Sequence, residues 1–226
     1  MPAIPARRRR RRGPRFTAVV VGGLLLVTGI VVVFILPNLD VSGRRIPSVA
    51  LAAYRAASRA APSIRKGCNV EWEILAALAK VESDHGRING PRTFANDGTI
   101  EPPIVGPPLD GTAGTRAIVD TDKGKLDGDT HWDHAVGPLQ FIPSTWRELG
   151  RDGNGDGRKD PNNLYDASLT AAAHLCLREP GDYRDRVQLR RSLIAYNQSN
   201  RYADEVLAWI DTYRAMPADE LSTAAR

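Results

Sequence analysis

The feature that most constrains this chain is a run of 21 residues without a charged side chain, Phe16–Leu36 ("FTAVVVGGLLLVTGIVVVFIL"). About 20 apolar residues are enough to cross a bilayer as a helix. Seven arginines precede the run within residues 1–15, and only Arg44 and Arg45 follow soon after it, which predicts a cytoplasmic N-terminus. We therefore predict a basic cytoplasmic tail at 1–15, a single transmembrane signal anchor at 16–36 and a linker at 37–46.

The charge distribution limits the partners of the remaining chain. The net charge is +5, and since residues 1–15 hold seven arginines and no acid, the rest of the chain carries a net charge of −2. An arginine run also suits nucleic acid, but nothing downstream is basic or aromatic enough, so no nucleic-acid partner is predicted. A cleaved or lipid-processed signal is the alternative to an anchor, although "PNLDVSGRR" offers no cleavage site of small residues.

The chain has two cysteines, Cys68 and Cys176, and both follow the predicted span. An oxidising compartment outside the membrane favours their pairing. We predict a disulfide between them, with two buried free thiols as the alternative.

Residues 47–216 predict one mainly α-helical domain, followed by a C-terminal tail at 217–226. Apolar periodicity and capping residues predict helices over 48–60, from a cap at Asn69 to about His85, and over 143–149, 166–177, 187–196 and 202–216. Residues 87–135 are rich in Gly, Pro and Asp. So long an irregular stretch inside a compact domain indicates functional loops, with a short strand at "TRAIVDTD" (115–122).

One acid lies on the apolar stripe of the helix "ILAALAKVESDHGR". At about 100° per residue, Glu82 falls about 20° from Leu75 and 40° from Leu78, in the last turn before Gly86. Partial burial and the negative end of the helix both raise the pKa of a carboxyl. A carboxyl that stays protonated near neutral pH suits a general acid. The alternative is a glutamate paired with an arginine or lying along the edge of the core.

Two further stretches carry candidate ligand-binding residues. In "AVGPLQFIPSTWRELG" the polar Gln140 stands beside Phe141, and in "IAYNQSNRY" an amide, Asn197, lies between Tyr196 and Tyr202. Aromatic rings and amides suit sugar rings and their N-acetyl groups. The structural alternatives are a turn that starts a helix and a hydrogen-bonded helix junction.

The stretch "DGNGDGRKDPNN" matches most of a calcium loop of the EF-hand type. Oxygen ligands are predicted at positions 1, 3, 5, 7, 9 and 12, which are Asp152, Asn154, Asp156, Arg158 (through its carbonyl), Asp160 and Asn163. Asn163 replaces the usual bidentate glutamate, so we expect weak structural calcium binding. A metal-free Asp/Gly turn is the alternative.

Together and in this order, the four stretches resemble the lytic murein transglycosylases of the membrane-bound B type, especially single-domain forms from high-GC Gram-positive bacteria. The resemblance covers about residues 65–210. It implies a lysozyme-like fold of the α+β kind that cleaves the β-1,4 bond between N-acetylmuramic acid and N-acetylglucosamine in peptidoglycan. It further implies that Glu82 is the single acid and base, that Gln140, Tyr196 and Asn197 lie near the sugars, and that no cofactor takes part in catalysis.

Two other functions remain open from the sequence. A hydrolysing muramidase normally uses two carboxyls, and the second would come from the loop acids Asp110, Asp120, Asp122, Asp127, Asp129 and Asp133. A calcium-stabilised, non-catalytic scaffold that binds the cell wall would need no acid at position 82. For all three functions we expect a monomer that acts on glycan strands outside the membrane, with recruitment by wall-synthesis or division proteins left open.

Overall fold

The computed structural model describes residues 42–112 and 115–223. The chain divides into two compact units, Met1–Gly43 and Arg44–Arg226. The helices and strands of the fold belong to the second unit. The predicted basic tail and signal anchor, residues 1–36, lie outside the described residues. Within the part of the chain that is described, none of the helices is long and apolar enough to cross a membrane.

The domain is mainly helical, as predicted. Its helices are α1 (Ser48–Ile64), α2 (Trp72–Ser83), α3 (Pro143–Leu149), α4 (Leu164–Arg178), α5 (Arg186–Asn197) and α6 (Asn200–Ala215). The side chains of Asn163, Asp185 and Ser199 cap α4, α5 and α6 by accepting bonds from first-turn amides. The predicted cap at Asn69 is wrong, because α2 begins three residues later, after Glu71.

Helix α2 lies at the centre of the packing. It packs against α1 and α6, while α1 packs most extensively against α4. All six residues of Ile74–Ala79 are fully buried, so α2 is enclosed on every side over this stretch. Alanines on the neighbouring helices, among them Ala53, Ala57 and Ala171, are also buried and let the helix axes approach closely. The C-terminal turn of α2 is therefore carried by a rigid element.

The predicted disulfide is confirmed. Cys68 lies between α1 and α2, and it bonds to Cys176 on α4 with a Cα–Cα distance of 5.6 Å. The bond spans 108 residues of sequence and leaves no free cysteine in the described residues.

The strands are short and form three separate pairs. Strand β2 (Thr93–Phe94) pairs with β3 (Ile100–Glu101), and β4 (Val105–Pro108) pairs with β5 (His134–Val136), both antiparallel. The predicted strand at 115–122 is wrong, since only Val119 forms an isolated bridge, with Trp132. The reason lies at Asp120, whose carboxylate accepts bonds from three successive backbone amides of residues 122–124 and turns the chain.

The domain extends beyond the predicted limits of 47–216. Strand β1 (Ile46–Pro47) pairs in parallel with β6 (Ser222–Thr223). Ile46 is fully buried and Leu221 is 4% exposed. The last residue of the predicted linker and the described part of the predicted tail therefore belong to the packed domain.

Candidate active site

Glu82 is the penultimate residue of α2, and the chain turns sharply directly after it. Asp84, His85 and Gly86 all have left-handed backbone angles, with φ of 51°, 58° and 87°. The Asp84 amide closes the helix by donating to carbonyls of the preceding turn. The helix therefore ends at Ser83, two residues before its predicted end at about His85.

Two side-chain networks hold this left-handed turn. The His85 ring is fully buried and lies between two tyrosine hydroxyls, 3.1 Å from Tyr54 Oη and 2.8 Å from Tyr213 Oη. Burial, and then the positive charge of Arg87, lower the pKa of His85 to about 3, so the ring is neutral. On the other side, the Asp84 carboxylate pairs with Lys80 at 2.5 Å and with Arg87 at 2.8 Å.

Glu82 is half-buried, and the burial of its carboxyl raises its pKa to about 7. Tyr202 Oη donates a 2.5 Å hydrogen bond to Glu82 Oε1, which opposes this rise because it favours the ionised form. No charged side chain among the described residues contributes to the raised pKa of Glu82. A carboxyl with this pKa holds its proton in a large share of molecules at neutral pH and releases it readily.

A tight turn over residues 136–141 forms a second part of the site. Val136 and Phe141 pair across it, and Gly137 has φ of 76°. A Cβ at Gly137 would lie 1.8 Å from the Pro161 carbonyl oxygen, so only glycine fits there. Gln140 also has a positive φ, of 47°, and its Nε2 donates to the Gly137 carbonyl at 2.9 Å. The amide of Gln140 is thus folded over its own turn.

This turn is joined to the two helices that carry Glu82 and Tyr196. Ser83 Oγ, next to Glu82, donates to the Pro138 carbonyl at 2.6 Å. Tyr196 Oη on α5 donates to the Leu139 carbonyl at 3.3 Å. These two bonds place the turn of Gln140 beside the end of α2. The sequence analysis did not predict the bond from Ser83. A serine at the buried end of a helix does indicate that its hydroxyl has a hydrogen-bond partner.

A row of aromatic rings leads away from Glu82. The rings of Tyr202 and Tyr196 are parallel with centroids 6.4 Å apart, Phe141 follows at 6.3 Å from Tyr196, and Trp146 lies 5.6 Å from Phe141. Phe141 is 3% exposed, and its ring contacts those of Tyr196 and Trp146; its contact with substrate stays a prediction. Tyr202 is 8% exposed. Asn197 is exposed at the last position of α5.

The six loop acids are all engaged within their own loop. Each of the six accepts hydrogen bonds from its own loop: Asp110 from Thr112, Asp120 from residues 122–124, Asp122 from 125 and 126, Asp127 from 129 and 134, Asp129 from 131 and 132, and Asp133 from Thr121. Three of them, Asp120, Asp122 and Asp133, bring oxygens within 4.8 Å of one another. None of the six appears among the causes of the raised pKa of Glu82.

The predicted calcium loop is held by hydrogen bonds between its acids and its own amides. Asp152 accepts from the amides of Gly155 and Gly157 at 2.7 and 2.8 Å, and Gly157 makes the expected sharp turn with φ of 83°. The side chain of Asn163, the predicted ligand at position 12, caps α4 and donates to the Asp97 carbonyl, and its role as a ligand stays a prediction.

Asp166, in the first turn of α4, holds the loop through its carboxylate. It is 1% exposed, and its two carboxylate oxygens accept from the amides of Gly153 and Asp160 at 2.7 and 2.8 Å. Burial raises its pKa. Sequence reasoning missed this residue. The available signal was an acid in the first turn of the helix that follows the loop.

Comparison with known proteins gives one family match. Residues 117–181 match the family model described as the Transglycosylase SLT domain. The matched range contains the turn of Gln140, α3, the Asp/Gly loop and α4, and it ends before Tyr196; Glu82 precedes it. The match agrees with the resemblance seen in the sequence over the part of the chain that it covers.

Among solved structures, the chain is similar to the Escherichia coli lytic transglycosylase Slt35 in complex with bulgecin A. The TM-score is 0.44 at 15% sequence identity, and 74% of each chain is covered. No curated protein matches the chain.

Proposed function

We propose that the protein is a lytic transglycosylase of the membrane-bound B type that cleaves the β-1,4 bond between N-acetylmuramic acid and N-acetylglucosamine in peptidoglycan. The observation that carries the proposal is Glu82, a carboxyl with a pKa of about 7 whose Oε1 accepts a bond from Tyr202. The family match at residues 117–181 supports the same class of reaction.

In the proposed reaction, protonated Glu82 gives its proton to the glycosidic oxygen of the leaving N-acetylglucosamine while the bond from that oxygen to C1 breaks. The 6-hydroxyl oxygen of the same muramic acid forms a bond to C1, and its proton passes to Glu82. The products are a free 4-hydroxyl end and a 1,6-anhydromuramic end. Glu82 returns to its protonated state, and no water is consumed.

A single carboxyl is sufficient for this chemistry because the nucleophile belongs to the substrate. Asp84 is paired with Lys80 and Arg87. The six loop acids hold amides and hydroxyls of their own loop. This arrangement favours the transglycosylase over a hydrolase that uses two carboxyls.

The test is product analysis of purified glycan strands together with Glu82→Gln. We expect 1,6-anhydromuramic ends, seen as fragments lighter by one water molecule than hydrolysis products. Glu82→Gln should lower turnover by about 10²–10⁴, while Glu220→Gln, at an exposed position, serves as the matched control. Reducing muramic ends would establish a hydrolase. Full activity of Glu82→Gln, or no cleavage by the wild type, would contradict the proposal, the latter in favour of a scaffold.

We also propose weak structural calcium binding at the Asp/Gly loop. Its donors are all oxygens, which suits calcium, and the buried carboxylate of Asp166 holds the loop in shape. Asp152, Asn154, Asp156, Asp160 and the Arg158 carbonyl would hold the ion, whose role would be to stabilise the loop. Millimolar calcium should raise the melting temperature of the wild type and leave that of Asp156→Ala unchanged. No change in the wild type would contradict the site.

We further propose that residues 16–36 anchor the domain to the cell membrane, with the disulfide-bonded domain on the oxidising outer side. The full-length protein should stay in the membrane fraction through alkaline extraction, with its domain accessible from outside. Recovery of a soluble form that begins near Asn38 would contradict the anchor.

A further inference from the structure

A cavity of about 380 Å³ lies between the loop of residues 121–126 and helix α3. Leu126, Pro143 and Trp146 form its apolar part. Lys123, Lys125 and Arg147 also line it and are exposed. The cavity therefore combines an apolar wall with three cationic side chains.

Cationic side chains outnumber acids in the lining of this cavity. The carboxylates of Asp120 and Asp133 lie beside Asp122 but accept bonds from their own loop. Asp122 is the one acid that lines the cavity. Its two oxygens accept from the backbone amides of residues 125 and 126, so the carboxylate is used to hold the loop. None of the three cationic side chains belongs to an ion pair found among the described residues. Such a surface selects an anionic ligand with an apolar portion.

The cavity is adjacent to the candidate active site. Trp146 lines it, and the ring of Trp146 contacts Phe141 at 5.6 Å, which in turn contacts Tyr196 at 6.3 Å. Tyr196 lies against Tyr202, the partner of Glu82. A ligand in the cavity is therefore separated from the aromatic rings beside Glu82 by one side of α3 and the Phe141 ring.

We propose that this cavity binds the carboxylate-bearing peptide stems of peptidoglycan, an inference that rests on the proposed function. The lactyl carboxyl of each muramic acid is amide-linked where a stem is attached, whereas the stems carry free carboxylates next to methyl and methylene groups. The carboxylates match Lys123, Lys125 and Arg147, and the alkyl groups match Leu126 and Trp146. The cavity would thus make the enzyme distinguish glycan that carries stems from glycan that lacks them.

The test uses a double variant, Lys123→Gln with Lys125→Gln, which removes two charges and keeps the side-chain length. Arg147 is left in place because its Nη1 donates to the Thr121 carbonyl at 2.6 Å. The matched control is Arg59→Gln with Lys66→Gln, two exposed cations on and after α1. We expect kcat/KM on stem-bearing glycan to fall about 3- to 10-fold in the first variant, as for the loss of two ion pairs. On glycan freed of stems by an amidase, which keeps only the lactyl carboxylates, it should fall less.

Direct binding separates this inference from the proposed function. A free stem peptide, titrated into Glu82→Gln by calorimetry, should bind, and the two lysine substitutions should weaken its binding by a similar factor. Equal losses of activity on both glycans, equal losses in the control variant, or no stem binding would overturn the inference. Stronger competition by inorganic phosphate than by the stem would also overturn it, in favour of a phosphate-bearing wall polymer. If the stem binds as described while the wild type cleaves no glycan, the proposed function fails and stem binding stands.

Discussion

At the scale of single residues, the burial of Glu82 couples the protonation of one carboxyl to the stability of the fold. The ordinary pKa of 4.5 rises to about 7 in the folded protein. Between these values the folded state binds a proton that the unfolded state releases, so the free energy of unfolding falls as pH rises from about 4.5 to 7. Glu82→Gln has no carboxyl at this position, so its free energy of unfolding does not fall in this way.

Glu82→Gln should therefore be more stable than the wild type above pH 7, by at most about 3 kcal/mol, and equally stable below pH 4.5. Urea unfolding at pH 4, 6 and 8 measures the difference. Glu220→Gln, at an exposed position, should follow the wild type at every pH. Parallel stability curves for the wild type and Glu82→Gln would contradict the raised pKa.

The hydroxyl of Tyr202 sets how far this pKa rises. Because its bond to Glu82 lowers the pKa, Tyr202→Phe should move the pKa of Glu82 above 7. The enzyme needs protonated Glu82, so the basic limb of kcat/KM against pH should shift to higher pH. Tyr183→Phe, whose hydroxyl bonds the Glu179 carbonyl, is a control at another site. A shift to lower pH would mean that Tyr202 acts in some other way.

The sequence predicted the position of Glu82 on the apolar stripe because helical spacing is a local property. It did not predict the bond to Tyr202, since 120 residues separate the two. The burial of Phe141 was missed for the same reason. Whether an aromatic ring faces a ligand or other rings depends on contacts with elements distant in sequence, here α5, which carries Tyr196.

At the scale of elements, the turn over residues 136–141 depends on the missing side chain of Gly137. Gly137→Ala would add a left-handed alanine and a contact of 1.8 Å with the Pro161 carbonyl. Gly128→Ala is a matched control, because Gly128 has φ of 85° and a Cβ at that position would meet nothing within 4 Å.

Gly128→Ala should cost about 1 kcal/mol in free energy of unfolding, the cost of a left-handed alanine. Gly137→Ala should cost clearly more and should also lower activity, because the displaced turn is bonded to Ser83 and Tyr196. Chemical denaturation and the glycan assay measure the two effects. Equal costs for the two variants would show that the turn yields without strain.

The left-handed turn after α2 depends on a neutral histidine. His85 has a pKa of about 3 in the folded protein, against an ordinary value of 6.5, because burial disfavours its charged form. The unfolded state binds the extra proton between these values, so stability is lost as pH falls from about 6.5 to 3. His85→Gln retains a donor and an acceptor for the two tyrosines but cannot titrate.

Relative to His85→Gln, the wild type should therefore lose stability as pH falls over this range, as measured by thermal unfolding of both proteins at pH 4, 5 and 7. His131→Gln removes a histidine whose side chain is 84% exposed and should leave the slope unchanged. An unchanged slope in His85→Gln would show that the wild-type ring takes up its proton without unfolding.

At the scale of the whole molecule, the Cys68–Cys176 bond closes a loop of more than 100 residues. Removal of a native disulfide from a small secreted domain typically costs about 2–5 kcal/mol. Reduction should therefore lower the melting temperature and raise the intact mass by two hydrogens. The double variant Cys68→Ala with Cys176→Ala should be destabilised similarly and should not respond to reductant. A wild type that keeps its melting temperature on reduction would contradict this role.

Helix positions and the disulfide were predictable because they depend on periodicity, caps and the number of cysteines. The arrangement of residues 87–135 was not predictable in detail. Its aspartates fold the chain through hydrogen bonds to amides two to twelve residues away, which no periodic pattern records. Asn163 shows the same limit, because capping a helix and binding a metal ion use the same amide oxygen.

The parallel pairing of β1 with β6 brings the two ends of the described domain together. The Ile46 amide donates to the Leu221 carbonyl at 2.9 Å, and both residues are buried. Neighbouring ends allow the covalent order of a chain to be changed without altering its packing. A circular permutant that joins these ends by a short linker and opens the chain at the exposed Gly90 would keep α2, its left-handed turn and the disulfide intact. Both new ends would then lie in the loop that follows the left-handed turn.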